Sequence, residues 1–130
     1  MRSNVQCISS VKVAVSGANG FVGRAVLNRL ILGSRPVIAF VRDRGAEQLG
    51  EVNVTVVSTA DPMSWPSALR QCSVFVHCAG RAHILKGSGR SALNEFRDVN
   101  VDLTLALARS AAAAGVKRFV FVSSIGVNGL

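Results

Sequence analysis

A chain of 130 residues that is 49% hydrophobic and 17% charged has the size and composition of one folded domain around one core. No apolar run approaches the roughly 18 residues of a membrane span, and the opening "MRSNVQCISSVKVAVSG" has no apolar signal segment and no small-residue cleavage site. The chain is therefore expected to be soluble and cytoplasmic, with no membrane partner. The formal charge of +8 comes from 15 Lys and Arg that are scattered rather than massed, and no Tyr is present to interleave with them. Nucleic acid is not an expected partner, since the charge serves phosphate-bearing small molecules equally well.

In chain order, apolar runs alternate with helical patterns. "VKVAVS" (11–16) predicts a strand, and "FVGRAVLNRLILG" (21–33) predicts a helix closed by Gly33. "PVIAFV" (36–41) predicts a second strand opened by Pro36, and "EVNVTVV" (51–57) a third. Residues 61–72 suit a short helix with Ser64 as N-cap and Pro66 in its first turn. "SVFVHCAG" (73–80) predicts a fourth strand, and a long helix runs from about Ser91 to Ala114 and stops at Gly115. "VKRFVFVSS" (116–124) predicts a fifth strand. Continuous apolar strands separated by helices imply a parallel sheet covered on both faces, and right-handed crossovers make it doubly wound. The expected fold is α/β, a Rossmann-like doubly wound sheet of five strands filling one domain over 1–130. The chain stops just after the fifth strand with no closing helix, which reads as a fragment of something longer. Cys7, Cys72 and Cys78 form no CxxC pair and no zinc spacing, so reduced thiols and no metal are expected.

Between the first strand and first helix stands "SGANGFVG". Strand before and helix after is the setting of a dinucleotide fingerprint. Gly17 would permit the tight turn, Gly20 the approach of backbone to phosphates, and Gly23 close packing of helix on sheet. Asn19, Phe21 and Val22 share this loop and helix start, whose free N–H groups and positive dipole end suit a pyrophosphate. The same spacing also fits a turn with no ligand. The second strand leads into Arg42 and Asp43. An Arg there can take a 2′-phosphate, which favours NADP, while Asp43 can reach a ribose, which favours NAD. Asn100 falls on the apolar stripe Phe96, Leu103, Leu107 and Ala111, where its amide must find hydrogen-bond partners.

Together "SGANGFVG", "VFVHCAGRAH", "FRDVNVDLTLALARSAAAAGVKRFVFVSS" and "SSIGVNG" resemble the extended short-chain dehydrogenase/reductase family, in its nucleotide-sugar epimerase/dehydratase branch. The likeness runs from about Val11 to Leu130. The resemblance implies that Cys78, Ala79 and Gly80 line the cofactor, and it leaves His77 between a cofactor role and a satisfied core histidine. It implies that Asn100 holds the active-site end of its helix, that Ser123 lies by the cofactor, and that Ser124 is the catalytic serine. The family's next motif, Tyr-x-x-x-Lys, has no counterpart because the chain has no Tyr. The 130 residues alone are therefore expected to lack turnover. The basic stretch with Arg81, His83 and Lys86 either faces an anionic substrate or is a solvated loop. The resemblance thus implies the NAD(P)-binding part of an epimerase or dehydratase acting on a nucleotide sugar, a UDP-sugar first, with a homodimer left open. The alternative is a non-catalytic NAD(P)-binding sensor or assembly module.

Overall fold

The computed structural model describes residues 11–42, 49, 52–80 and 89–129. In chain order the elements are β1 (Lys12–Ser16), α1 (Phe21–Leu32), β2 (Val37–Val41), β3 (Val54–Ser58), α2 (Trp65–Leu69), β4 (Cys72–His77), α3 (Arg90–Arg97), α4 (Leu103–Ala113) and β5 (Arg118–Phe121). All the strand pairings are parallel, in the order β3-β2-β1-β4-β5. This is the doubly wound, Rossmann-like α/β sheet expected, and the strand order reverses between β1 and β4.

Period-two alternation divides the strands between two cores. Val13, Val15, Val37, Ala39 and Val41 pack with Leu27 of α1 on one face. Ala14, Ile38, Phe40 and Phe75 pack with Trp65 and Leu69 of α2 and with Leu107 and Ala111 of α4 on the other. β2, buried at every position, is a continuous apolar run because both its faces are covered.

Gly33 ends α1 as expected, as its C-cap; the left-handed residue is the next one, Ser34, at φ 54°, with the Ser34 N–H on Ile31 O at 2.8 Å and the Arg35 N–H on Leu30 O at 3.1 Å. Several boundaries differ from the sequence expectation, each for a local reason. The segment expected as one helix over 61–72 is a 3-10 turn, Pro62–Ser64, followed by α2, and Cys72 already belongs to β4. Ser64 stands at the N-cap position of α2 with Pro66 in the first turn, as expected, but its side chain does not cap: its hydroxyl donates back to Asp61 O at 2.8 Å. The third strand starts at Val54 rather than 51; Val52 is fully exposed and Glu51 lies outside the described residues. β4 ends at His77 instead of running to 80, because the Ala79 N–H turns to the Ser16 hydroxyl at 3.4 Å. β5 is shortened at both ends, stopping at Phe121 and starting only at Arg118, because the N–H groups of Gly115 and Val116 close α4 on Ala112 O and Ala111 O. The long helix begins at Arg90 and is broken by a π turn, Asp98–Asp102, in which the Leu103 N–H bonds Asp98 O.

Cys72 is buried and Cys78 half-buried, both as free thiols; Cys7 lies outside the described residues. Burial pushes the Cys72 thiol up to about 11, against the opposing pull of the Lys12 amine. Among the described residues no helix is long and apolar enough to cross a membrane, and no group of His, Cys, Asp and Glu is placed to hold a metal ion.

Candidate functional site

A cleft of about 540 Å³ opens at the carboxyl ends of β1 and β4, where the strand order reverses. That is where open α/β sheets hold ligands. One wall is the turn after β1. Gly17 adopts φ +64°, gives its N–H to Phe40 O at 3.1 Å and accepts the Gly20 N–H at 2.9 Å. A Cβ on Gly17 would stand 2.7 Å from the Ala79 nitrogen, so only glycine lets these two chain segments meet. A Cβ on Gly23 would stand 1.9 Å from Gly17 O; this buried glycine lets α1 close over the turn. α1 starts at Phe21 with Gly20 as N-cap, no side-chain cap and no acid in its first turn. Its first N–H groups therefore have no partner inside the helix and meet no negative side chain there.

The opposite wall is Cys78, Ala79 and Gly80, and behind them Val99 of the π turn and Leu103 of α4. Burial also raises the Cys78 thiol, which keeps it protonated on this wall. Arg42, just past β2, and Thr59, just past β3, form the far end. The lining thus brings together seven of the expected residues: Gly17, Asn19, Gly20, Arg42, Cys78, Ala79 and Gly80. The side chains of Phe21 and Val22 point to solvent, Phe21 at 96% exposure, and leave only backbone to serve the cleft. Asn100 is half-buried beside the lining, its Oδ1 3.5 Å from where a Gly80 Cβ would be. Ser123 and Ser124 are exposed beyond β5 and outside the lining. Asp43, Arg81, His83 and Lys86 lie outside the described residues.

Beneath the lining runs a polar relay that sequence reasoning left mostly unread. Ser16 and His77 are register partners on β1 and β4, fully buried and facing α4. They interrupt a cross-sheet row otherwise made of Val57, Phe40 and Phe121. The Thr104 hydroxyl has one proton and gives it to Asn100 O at 3.0 Å, so at 2.8 Å it accepts from His77 Nε2. Nδ1 is then the acceptor of the Ser16 hydroxyl at 2.6 Å, and Ser16 in turn receives the Ala79 N–H at 3.4 Å. Phe119 and Phe121 stack on the imidazole, with centroids at 5.9 and 5.8 Å. Burial lowers the His77 pKa and keeps the ring neutral. The only signals in the sequence were Ser16 at a strand end and Thr104 one helical turn past Asn100.

Residues 13–129 match the NAD dependent epimerase/dehydratase family. The chain is 34% identical over 124 residues to a UDP-glucose 4-epimerase of Vibrio cholerae, an alignment covering 90% of this chain and 36% of that protein. It is 30% identical over 126 residues to the mitochondrial NADH dehydrogenase (ubiquinone) 1 alpha subcomplex subunit 9 of Mus musculus, covering 91% and 32%. A solved short-chain dehydrogenase/reductase superfamily protein from Agrobacterium tumefaciens with bound NAD superposes at TM-score 0.72 with 32% identity, covering 91% of this chain and 34% of that one. The chain spans about a third of the length of these two curated relatives. With the glycine turn, the reversal-point cleft and a family match over nearly its whole length, this chain belongs to the NAD-dependent epimerase/dehydratase family.

Proposed function

We propose that this chain is the cofactor-binding part of an NAD(P)-dependent epimerase or dehydratase acting on a nucleotide sugar. The observation that carries the reading is the cleft itself, with the glycine turn of β1 facing Cys78–Gly80 of β4 across the sheet's reversal point. The α1 N-terminus suits the pyrophosphate, because its N–H groups and dipole meet no competing acid. A bound nicotinamide supplies a hydride acceptor and donor. Around it Ala79 and Gly80 leave room for a ring, and Arg42 at the far end suits a 2′-phosphate, favouring NADP. Ser124, past β5, is the proposed partner of the reacting hydroxyl. A UDP-sugar is the first substrate to try, in keeping with the name of the Vibrio cholerae relative.

Titration of the 130-residue chain with NADP and NAD tests the cofactor half. Arg42→Ala is expected to weaken NADP roughly tenfold, the loss of one charge-assisted pair, and to leave NAD within about twofold. Failure to bind either nucleotide defeats the reading. Incubating the whole gene product with UDP-glucose and analysing the sugars by chromatography tests the chemistry. A second reading, a non-catalytic nucleotide-binding module, is favoured by the similarity to the mitochondrial NADH dehydrogenase subunit and predicts binding without any sugar turnover.

A further inference from the structure

The second wall of the cleft is built from separate pieces of chain: the β4 end, Cys78–Gly80, and behind it the π turn and α4. They meet above at Gly80 and Asn100, and below through the buried hydroxyls and imidazole. In that lower connection every donor has one acceptor, and the direction is single: Ala79 N–H to Ser16, Ser16 to His77, His77 to Thr104, Thr104 to Asn100 O. Among the described residues no buried side-chain nitrogen or oxygen lacks a partner, those of Ser16 and His77 included. The relay's terminal groups are backbone atoms of residues at the cleft, the Ala79 nitrogen and the Asn100 carbonyl.

We infer that His77 is a positioning residue whose relay from Ala79 N–H through Ser16 and Thr104 to the Asn100 carbonyl holds the β4 end against the π turn and α4, and so fixes the width of the cleft and its affinity for dinucleotide. This rests on the dinucleotide reading of the cleft. His77 suits the task because a neutral imidazole accepts on one nitrogen and donates on the other, and so bridges two hydroxyls 61 and 27 residues away in sequence. The stacked Phe119 and Phe121 rings fix the plane in which it does so. Without the Thr104 hydroxyl the Nε2 proton has no acceptor, and the ring can gain one only by turning or by moving its proton to Nδ1. Either change removes the acceptor of Ser16 and frees the Ala79 wall.

Thr104 lies outside the cleft lining, so its substitution reports on the relay without touching a ligand. Thr104→Val keeps the shape and removes the hydroxyl; Thr104→Ser keeps the hydroxyl. NADP and NAD titrations on the folded chain, with circular dichroism as the check on folding, are expected to give Thr104→Ser the wild-type affinity and Thr104→Val one roughly tenfold weaker. Ser16→Ala, which cuts the relay on the other side of the ring, is expected to match Thr104→Val and serves where that variant does not fold. A merely structural hydroxyl would lower the melting temperature and leave the affinity of the folded protein unchanged, and equal affinities overturn the inference while leaving the dinucleotide reading intact. A wild-type chain that binds neither nucleotide ends that reading and this one together. Nitrogen-15 spectra of the ligand-free chain give a second test: His77 is expected as the Nε2–H tautomer in the wild type and as a mixture in Thr104→Val. An Nδ1–H tautomer in the wild type overturns the relay whatever binds in the cleft.

Discussion

At the scale of single residues, two features make separable predictions. Burial lowers the His77 pKa below its ordinary 6.5, so the unfolded chain takes up that proton more readily than the folded one. Its contribution to stability is complete above about pH 6.5 and is lost as the pH falls from there toward the folded-state value. Melting temperatures taken between pH 7.5 and 5.5 are expected to fall more steeply for the wild type than for His77→Gln, and parallel slopes would refute it. The helix ends offer a paired comparison. α1 and α4 both close through a left-handed residue, Ser34 at φ 54° in one and Gly115 at φ +85° in the other. A side chain in that conformation costs about 1–2 kcal/mol, and glycine returns about 0.4–1 kcal/mol of it through the freedom of the unfolded chain. Ser34→Gly should therefore gain roughly 0.5 kcal/mol in denaturant melts. Gly115→Ala, whose new Cβ meets nothing within 4 Å, should lose about 1 kcal/mol from backbone strain alone. Gly33 was legible as the α1 stop because glycine is the usual occupant there; that the left-handed residue is the next one, Ser34, no local pattern shows.

Among the elements, the helical rod from Arg90 to Ala113 is where sequence and structure part most instructively. The apolar spacing of Phe96, Leu103, Leu107 and Ala111 revealed both the rod and its inner face, and Leu107 and Ala111 are indeed buried. The π turn was hidden, because an inserted residue shows only when its hydrogen bonds are counted: Leu103 N–H reaches Asp98 O, and the Thr104 hydroxyl takes Asn100 O. The insertion sets α3 about 100° out of phase with α4. Deleting half-exposed Val101 should restore a regular helix, rotate α3 by that amount and carry Val99 off the cleft wall. Nucleotide affinity is expected to drop at least tenfold with far-ultraviolet circular dichroism unchanged; retained affinity would mean that the π turn does not shape the wall.

Across the whole molecule, strand types and their doubly wound arrangement were legible because each strand is a short apolar run between helical patterns, and parallel pairing follows from the crossovers. The glycine turn was legible for the same reason, being local. The facing wall was readable only through the family resemblance, and the Ser16–His77 pairing not at all, since it depends on a register set between strands 56 residues or more apart. Parity offered a partial hint: Ala14 and Ser16, like Phe75 and His77, share a face, so each polar residue follows a buried apolar one on the same side of the sheet. The sheet order also carries a consequence for how the chain is made. β1, β2 and β3 can pair as soon as residue 58 is in place, but the other edge of β1 stays bare until β4 is complete at His77. Adding the roughly twenty intervening residues takes about one to four seconds at ribosomal rates. For that interval the ribosome holds out a three-stranded ribbon whose naked edge is an apolar strand, and a nascent neighbour or a chaperone has those seconds in which to reach it first.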